Sequence, residues 1–250
     1  MSNVAVSVRG LSKDYHDSGG QIVRASMDVC FDAQAGEVFG VLGTNGAGKT
    51  TTLRILSTVL KPTGGDALIA GHSVRSEPDR VRSAIGFLSS DTGVYGRLTA
   101  GEMIEYFGRL HGLSEPTIAA RLSQISEQLD MGDFLTRRCD KLSSGQKQRV
   151  SIARTIVHDP PVLIFDEPTS GLDILASAQI VRFIHDSRRR GRCVIFSTHV
   201  MREAEKLCDR LIILHRGRVC ASGTPDELRR QTDQADLEDV FLRAIGELQS

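Results

Sequence analysis

Short apolar segments recur along the chain, and their composition and spacing predict the strands of an α/β protein. The strand predictions rest on runs rich in Val, Ile, Leu and Phe. These runs cover residues 4–8, 29–31, 38–42, 67–69, 85–88, 162–165, 194–197, 211–214 and 219–222. Helical patterns separate many of them, which favours a mixed sheet with parallel central strands and a ligand site at the carboxyl ends of those strands.

The stretch from about 99 to 158 departs from this alternation. It carries helical patterns over 100–110, 115–129 and 144–157 and no convincing strand. We therefore expect a helical subdomain inserted into the α/β core. Two short polar and amphipathic stretches around Glu227 and Val240 predict a helical tail over 225–250, which leaves residues 1–224 as the single main domain.

Length and charge limit the classes of function. A chain of 250 residues is long enough for one large α/β domain with an elaboration and too short for two such domains. With 31 basic and 31 acidic residues, the net charge is zero, so no global charge favours nucleic acid or an anionic membrane surface. The most basic stretch, 188–192, ends a predicted helix, where cations complement the helix dipole. We expect no nucleic-acid partner.

Cysteine usage and hydropathy indicate a chain that works in a reducing compartment. The five cysteines include no C-x-x-C pair and several lie within apolar runs, which favours buried free thiols over disulfides or metal ligands. No apolar run is long enough to span a membrane, and the first residues lack the basic start and apolar stretch of a signal peptide. We expect a cytoplasmic protein, and docking on a membrane protein stays open.

The segment Gly43-Thr44-Asn45-Gly46-Ala47-Gly48-Lys49-Thr50 fits the phosphate-binding pattern G-x-x-x-x-G-K-[ST] and directly follows the apolar run 38–42. Its glycines allow backbone N–H groups to point at phosphates, and the helix predicted to open at Thr50 adds the positive end of its dipole. Lys49 is expected to reach the β- and γ-phosphate oxygens, and the Thr50 hydroxyl to ligate Mg²⁺. The motif predicts a nucleoside triphosphate site.

A pair of carboxylates, Asp166 and Glu167, ends the apolar run 162–165. Such a pair alone is most often a surface turn, but the phosphate loop in the same chain favours a functional interpretation. Asp166 suits a Mg²⁺ shell, because this ion takes few carboxylates and keeps several waters. Glu167 is placed to orient or deprotonate the water that attacks the γ-phosphate.

The segment Leu142-Ser143-Ser144-Gly145-Gln146 precedes a predicted helix, where small residues expose N–H and hydroxyl groups that can grip a phosphate. In register with the two motifs above, it resembles the L-S-G-G-Q signature of the ABC ATPases, and the resemblance covers nearly the whole chain. It implies an α/β fold: a P-loop NTPase core with an antiparallel β subdomain and the inserted helical subdomain. It also implies a second ATPase protomer, because in this family ATP lies between the phosphate loop of one subunit and the signature of the other.

Three further matches follow from the resemblance. Asp173, in the segment 167–173, is similar to the D-loop residue that contacts the opposite subunit. His199 is similar to the switch histidine that senses the γ-phosphate and holds the water together with Glu167. Tyr15 is similar to the aromatic residue that stacks on adenine, a contact that needs only an exposed ring.

The motifs and the resemblance together define a set of predicted site residues. Lys49, Glu167 and His199 are the predicted catalytic residues, and Thr50 and Asp166 the predicted Mg²⁺ ligands. The predicted ATP-binding residues are Tyr15, Gly43, Thr44, Asn45, Gly46, Ala47, Gly48, Lys49, Thr50, Thr51, Ser143, Ser144, Gly145, Gln146 and Asp173.

The chain departs from the family pattern at three positions. Many members carry a glutamine, after the strand corresponding to 85–88, that joins the Mg²⁺ shell and links the core to the helical subdomain. Here Ser90 stands at that place and is too short to reach as glutamine does, while Asp91 could substitute only if the backbone shifts. Ser144 replaces the first glycine of the signature and adds bulk, and Thr44 replaces a common proline, which changes loop stiffness more than chemistry.

The resemblance implies a role in transport. Neither the long heptad segments and zinc-binding cysteines of the DNA-repair and chromosome members nor a second ATPase core is present. We expect a stand-alone ATPase subunit that pairs with itself or a close relative and docks, on the inner face of the cell membrane, onto a separate transmembrane permease. The segments 36–40, 50–54 and 237–241 are similar to ATPases of the drug and sodium efflux branch. A soluble ATP-driven switch that acts on a cytosolic partner is the alternative.

Overall fold

The computed structural model describes residues 3–16, 19–90 and 93–246, and the strands among them form two sheets. The first sheet has the order β2-β1-β4-β5 and is antiparallel throughout. Its strands are β1 (Val4–His16), β2 (Ile22–Gln34), β4 (Gly64–Ile69) and β5 (His72–Ser73). The predicted antiparallel β subdomain is therefore present, and the predicted α/β class is confirmed.

The second sheet forms the centre of the molecule and has the order β10-β9-β3-β8-β7-β6. Its strands are β3 (Val38–Leu42), β6 (Ile85–Leu88), β7 (Val162–Asp166), β8 (Cys193–Thr198), β9 (Arg210–His215) and β10 (Arg218–Gly223). All neighbours are parallel except the β9–β10 hairpin at the edge. The carboxyl ends of β3, β7 and β8 therefore lie at one edge of the sheet, where a ligand site is expected.

Both faces of the strands β3, β7 and β8 are buried, and alternate residues of each of these strands enter opposite apolar clusters. On β7, Leu163 and Phe165 face one cluster with the helices, whereas Val162 and Ile164 face the other with the antiparallel sheet and the first helix. A strand covered on both sides consists almost entirely of apolar residues, which explains why these segments are recognisable from the sequence. The polar residues Asp166 and Ser197 then mark the place where β7 and β8 leave the core.

Helices account for most of the remaining described chain. They are α1 (Lys49–Leu56), α2 (Pro78–Ala84), α3 (Ala100–Leu110), α4 (Glu115–Gln128), α5 (Ser144–Ile156), α6 (Ile174–Arg189), α7 (Met201–Leu207), α8 (Pro225–Thr232) and α9 (Leu237–Ala244). The predicted helices of the inserted segment agree with α3, α4 and α5 to within one residue. Thr99, Ser114 and Ser143 cap these helices by accepting backbone N–H groups, which explains why the starts were predictable.

The strand predictions were right in place and too short at the beginning of the chain. β1 was expected over 4–8 and extends to His16, and β2 was expected over 29–31 and begins at Ile22. The register shifts repeatedly along this pair, so the alternation of apolar and polar residues that marks a strand is interrupted. The two-residue strand β5 was not predicted. Of the cysteines, three are buried as expected, but Cys30 and Cys220 are exposed.

Candidate active site

The phosphate loop, residues 43–50, connects the buried strand β3 to helix α1. It encloses a small cavity of about 160 Å³ that combines loop residues with residues from β2 and from the end of β7. The lining residues are Ala25, Thr44, Asn45, Gly46, Ala47, Gly48, Lys49, Thr50, Thr51 and Glu167. The structure therefore brings the predicted loop residues and Glu167 together. Helix α1 begins at Lys49, one residue before the predicted start.

Two glycines fix the path of this loop. Gly48 has a φ of 104°, and a Cβ there would lie 2.4 Å from the Ala25 carbonyl oxygen. A Cβ at Gly43 would lie 2.5 Å from the Leu214 carbonyl oxygen. Any side chain at either position would push the loop away from β2 or β9. The glycines thus serve close backbone packing, and the loop is held in shape by the strands on both sides of it.

Lys49 lies almost fully inside the protein, with 4% of its side chain exposed. Its ammonium donates to the carbonyl oxygens of Gly43 at 2.8 Å and Thr44 at 3.2 Å, and it lies 3.1 Å from Glu167 Oε1. A buried cation needs such partners, since the desolvation of an unpaired charge is very costly. The lysine is therefore held within the loop, beside Glu167, which directly follows the last residue of β7.

Asp166 is the last residue of β7 and is only 1% exposed. Its Oδ1 accepts a hydrogen bond of 2.6 Å from Ser197 Oγ on the neighbouring strand, directly opposite in the parallel register. Its Oδ2 is buried and has no hydrogen-bond partner among the described residues. A carboxylate oxygen in this state has an unused acceptor site, which is a strong position for a cation.

Glu167 adopts a left-handed backbone conformation, with φ at 49°. This conformation is unfavourable for a residue with a side chain and persists where the surroundings hold it. The Glu167 N–H is shared by two acceptors of one residue, Ser197 Oγ at 3.1 Å and the Ser197 carbonyl oxygen at 3.2 Å. The turn carries the Glu167 side chain to Lys49 and to His199.

His199 follows β8, and its Nδ1 lies 3.1 Å from Glu167 Oε2. Burial raises the pKa of the Glu167 carboxyl, but the hydrogen bond and charge of Lys49, followed by those of His199, outweigh it and leave that pKa below its ordinary value. Glu167 is therefore ionised at neutral pH and able to accept a proton. Thr198 accepts the N–H of Val200 and donates to Glu203, which holds the turn that carries the histidine.

The signature segment forms the start of α5. Ser143 caps the helix and accepts the Gln146 N–H at 3.2 Å, while the Gln146 side chain accepts the Ser143 N–H at 3.0 Å. Ser144 is exposed, and Gly145 is buried against α6, where a Cβ would lie 2.7 Å from the Ala176 Cβ. Gly145 is thus explained by helix packing within the chain as well as by the motif.

None of the four signature residues lines the phosphate-loop cavity. Asp173 does not line it either: it is exposed and caps α6 by accepting the Ala176 N–H at 2.8 Å. Two contacts tie the signature helix to the segment after Glu167, namely the Gly145–Ala176 packing and a hydrogen bond of 2.6 Å from Gln148 to the Pro168 carbonyl oxygen. Within the described part of one chain the signature residues therefore lie apart from the phosphate-loop cavity, although the signature helix contacts the segment that follows Glu167.

Tyr15 lies near the end of β1, opposite Val23, and is 37% exposed. The ammonium of Lys13 lies 5.3 Å from the centre of its ring. The ring is accessible, as stacking requires, but it does not line the phosphate-loop cavity. At the position of the family's glutamine, Ser90 is exposed, and Asp91 and Thr92 lie outside the described residues.

Two site residues were not predicted from the sequence. Ala25 forms one wall of the cavity through its backbone, so the identity of its side chain does not indicate this role in the sequence. Ser197 contacts both acids, and its signal was a hydroxyl at the end of an otherwise apolar strand. That signal becomes specific only when β8 is known to lie beside β7.

A parallel sheet that carries this loop at the end of β3, with an acid at the end of β7, defines the class of P-loop nucleoside triphosphatases. Residues 26–170 match the family model described as ABC transporter. The chain is 39% identical over 241 residues to the ABC transporter ATP-binding protein NatA of Bacillus subtilis, covering 96% of this chain and 98% of the relative. It is 36% identical to the daunorubicin resistance ATP-binding protein DrrA3 of Streptomyces coeruleorubidus, covering 99% and 77%.

A similar solved structure is a dimeric ATP-binding cassette in a post-hydrolysis state bound to ADP and Pi. It superposes with a TM-score of 0.79 at 27% identity, covering 88% of this chain and 98% of that one. The chain belongs to the ABC transporter family; it is an ATP-binding subunit that hydrolyses ATP to power transport through a membrane subunit. Among the described helices, none has the length and apolar character needed to cross a membrane.

Proposed function

We propose that two protomers of this chain, or one protomer and a close relative, close around two ATP molecules and power export through a separate permease. The observation that carries this proposal is the division of the predicted site within one chain. Lys49, Asp166, Glu167 and His199 meet at one edge of the sheet, whereas the signature residues lie outside the cavity. A second protomer supplies the missing half.

ATP binding rests on the phosphate loop, whose backbone N–H groups and helix dipole favour phosphate. In the described structure Lys49 contacts Glu167 and two carbonyl oxygens of the loop. Phosphate oxygens would replace these partners of the ammonium, because a charge-assisted hydrogen bond to phosphate is stronger than one to a neutral carbonyl. Tyr15 offers its exposed ring to adenine, and Thr51 lies beside Thr50 in the wall of the cavity.

The residues present fit a Mg²⁺ ion. Asp166 Oδ2 is a buried carboxylate oxygen without a hydrogen-bond partner in the described residues, and Thr50 lines the cavity beside the phosphate loop. The described residues contain no cluster of three His, Cys, Asp or Glu side chains that could hold a metal, which suits an ion held mainly by phosphates and waters. When bound, Mg²⁺ supplies positive charge next to the β- and γ-phosphates.

Hydrolysis is assigned to Glu167 as the general base. Its carboxylate accepts a proton from the attacking water, while the water oxygen bonds to the γ-phosphorus and the bond to ADP breaks. His199, in contact with Glu167 Oε2, orients this acid and the water. Lys49 balances the charge that develops on the phosphate oxygens. The low pKa of Glu167 keeps the base ionised before ATP arrives.

Exposed apolar residues next to Asp173 support the pairing of protomers. Ile174 and Leu175 follow this residue at the start of α6 and are 87% and 79% exposed. Large apolar side chains this exposed at one turn are typical of a surface that is covered in a complex. We assign Asp173 and these two residues to the contact with the second protomer, whose Ser143, Ser144, Gly145 and Gln146 reach the ATP.

The permease is assigned to a different face, at the junction of the helical segment and the core. Tyr95, Tyr106 and Leu110 are exposed there, and the rings of Tyr95 and Tyr106 meet edge to face at 6.1 Å. Phe107, beside Tyr106, lines an apolar cleft of about 260 Å³. We assign this cleft to a cytoplasmic helix of the permease, because exposed aromatic and aliphatic side chains beside a groove suit the apolar face of an amphipathic helix.

Arg154 connects this face with the interior of the molecule. It is buried on α5, donates to the Gly93 carbonyl oxygen at 3.0 Å and lies over the Phe107 ring at 5.1 Å. Since α5 begins with the signature, a movement of the signature helix would reach the cleft through Arg154. This is a route from the ATP site to the permease that does not need the family's glutamine.

The remaining parts of the proposal concern extent, place and cargo. We take residues 1–224 as the ATPase domain, with the helical subdomain at about 99–158, and 225–250 as a tail within which α8 and α9 lie. The subunit works on the cytoplasmic face of the membrane, held there by the permease, and no nucleic acid takes part. The similarity to a daunorubicin resistance subunit supports drug export, and sodium is the other cargo that we consider.

The test is affinity capture of Glu167→Gln with ATP from detergent-solubilised membranes, with wild type as the comparison. This variant should bind ATP, fail to hydrolyse it and remain as a closed dimer with the permease attached. Recovery of a protein with several membrane spans supports the proposal. Recovery of the chain alone with soluble proteins, or normal turnover by the variant, contradicts it.

A further inference from the structure

Ser197 is the one described residue that bonds to both acids of the candidate site. It is fully buried, with no exposed surface, at the carboxyl end of β8. Its hydroxyl donates to Asp166 Oδ1 at 2.6 Å and accepts the Glu167 N–H at 3.1 Å. A hydroxyl has one proton to donate and lone pairs to accept with, so a single Ser197 Oγ satisfies both bonds together.

We propose that Ser197 is a positioning residue of the hydrolytic site. Through its one hydroxyl it orients the Asp166 carboxylate for Mg²⁺ binding and holds the Glu167 backbone in the conformation needed for water activation. The inference rests on the proposed roles of Asp166 and Glu167. It assigns to Ser197 no contact with ATP and no proton transfer.

The first half of the argument concerns Asp166. Its Oδ1 is occupied by Ser197, and its Oδ2 is buried without a partner among the described residues. The serine therefore fixes the rotation of the carboxylate and leaves one oxygen available. Groups that hold a metal-binding carboxylate in this way set metal affinity, and their loss typically lowers affinity or activity about 10- to 100-fold.

The second half concerns Glu167. Its left-handed backbone is unfavourable, and its N–H has only Ser197 atoms as acceptors in the described structure. Loss of the hydroxyl leaves the carbonyl oxygen of Ser197 as the remaining acceptor. The Glu167 N–H then loses one of its two acceptors, which weakens the support of the turn that directs the Glu167 side chain towards Lys49 and His199.

The experiment uses Ser197→Thr and Ser197→Val, which have nearly equal size and differ in the hydroxyl. The probe is a non-hydrolysable ATP analogue, titrated with Mg²⁺ and again with EDTA, and the turnover number is measured with ATP. In EDTA the two variants should bind the analogue equally. Mg²⁺ should raise the affinity of the Thr variant for the analogue, and the corresponding increase for the Val variant should be smaller by about tenfold or more. The turnover number of the Val variant should be about 10- to 100-fold below that of the Thr variant.

Equal Mg²⁺-dependent affinity and equal turnover of the two variants would overturn the inference. If the added methyl group prevents folding of both, Ser197→Ala is compared with wild type by the same two titrations, with thermal unfolding as the check on structure. Asp166→Asn and Glu167→Gln separate the two levels of the argument. Normal turnover in those variants refutes the proposed site itself. If instead the two acid variants are inactive and the Ser197→Thr and Ser197→Val variants behave alike, only the role of the serine is refuted.

Discussion

The ammonium of Lys49 lies 3.1 Å from Oε1 of Glu167, so the proposed phosphate-binding lysine and the proposed base form an ion pair in the described structure. Both groups are mostly buried, and an ion pair of this kind is retained when each partner would otherwise be left as an unpaired charge. If the γ-phosphate replaces Glu167 as the partner of the lysine, Glu167 keeps only its contact with His199 of these two. We therefore expect nucleotide binding to change the surroundings of the proposed base before any bond is broken.

Replacing Lys49 with Met should weaken ATP binding about 10- to 100-fold, because a charge-assisted hydrogen bond to phosphate is lost. The same change removes the largest attractive partner of Glu167, so burial should then raise the pKa of that carboxyl. Isothermal titration with ATP measures the first effect. Lys206→Met on the exposed face of α7 is the matched control, and equal ATP affinity of the two variants would refute the phosphate-loop assignment.

Gly145→Ala should disrupt the packing of α5 on α6, because the new methyl group would lie 2.7 Å from the Ala176 Cβ. We expect a loss of about 1–3 kcal/mol in the free energy of unfolding, typical of overpacking, and a loss of ATPase activity. The double variant Gly145→Ala with Ala176→Gly removes the clash and should recover most of the stability. Urea unfolding measures the three proteins, and a double variant no more stable than the single one would contradict this account.

The histidine stack between His111 and His158 should make stability depend on pH. Their rings lie 3.6 Å apart and nearly parallel, and burial, followed by the charge of His111, lowers the pKa of His158 to about 4. The unfolded chain binds its proton near pH 6.5, so between pH 6.5 and 4 the unfolded state holds more protons and stability falls as pH falls. The full loss is about 3 kcal/mol for a pKa difference of this size.

His158→Gln is the variant that isolates this effect, since an amide can still donate to the Ile85 carbonyl oxygen that His158 Nε2 now contacts. Urea unfolding at pH 7.5 and pH 5 should show a smaller decrease for the variant than for wild type. Equal decreases in both proteins would mean that His158 is not the group responsible.

Leu110→Gln should prevent capture of the permease and leave the dissociation constant for ATP unchanged. The side chain is 63% exposed on α3, so its replacement should change the free energy of unfolding very little. Leu68→Gln, at a 44% exposed position of β4, is the control for loss of an exposed apolar group elsewhere. Membrane capture with the Glu167→Gln background compares them, and equal recovery of the permease from both would move the docking face away from α3.

The central strands, the helices of the inserted segment and the phosphate loop were predictable because each is specified by residues close together in the sequence. Apolar runs mark the doubly buried strands, and the caps mark the helix starts. Contacts between distant segments were not predictable. The link from Ser197 to Asp166 depends on which strands are neighbours, and the need for Gly145 depends on how closely α6 approaches.

The pair of strands β1 and β2 was the least predictable part of the fold. Polar residues occur on both faces of β1 and β2, and the register shifts remove the simple alternation. Tyr15 lies in this region, so the sequence indicated its ring through a family resemblance and not through its place in a strand.

Covering the central sheet on both faces has a mechanical consequence. Asp166 and Ser197 stand at the ends of strands that are packed from both sides and hydrogen-bonded to their neighbours, and Glu167 follows directly, so we expect the backbone here to resist deformation. The signature, by contrast, begins helix α5, which packs on this sheet from outside, and the apolar cleft lies between helix residues such as Phe107 and the edge strand β6. We therefore expect the strand ends to act as a fixed frame during the proposed cycle, with any displacement passed to a partner coming from helices that move relative to them.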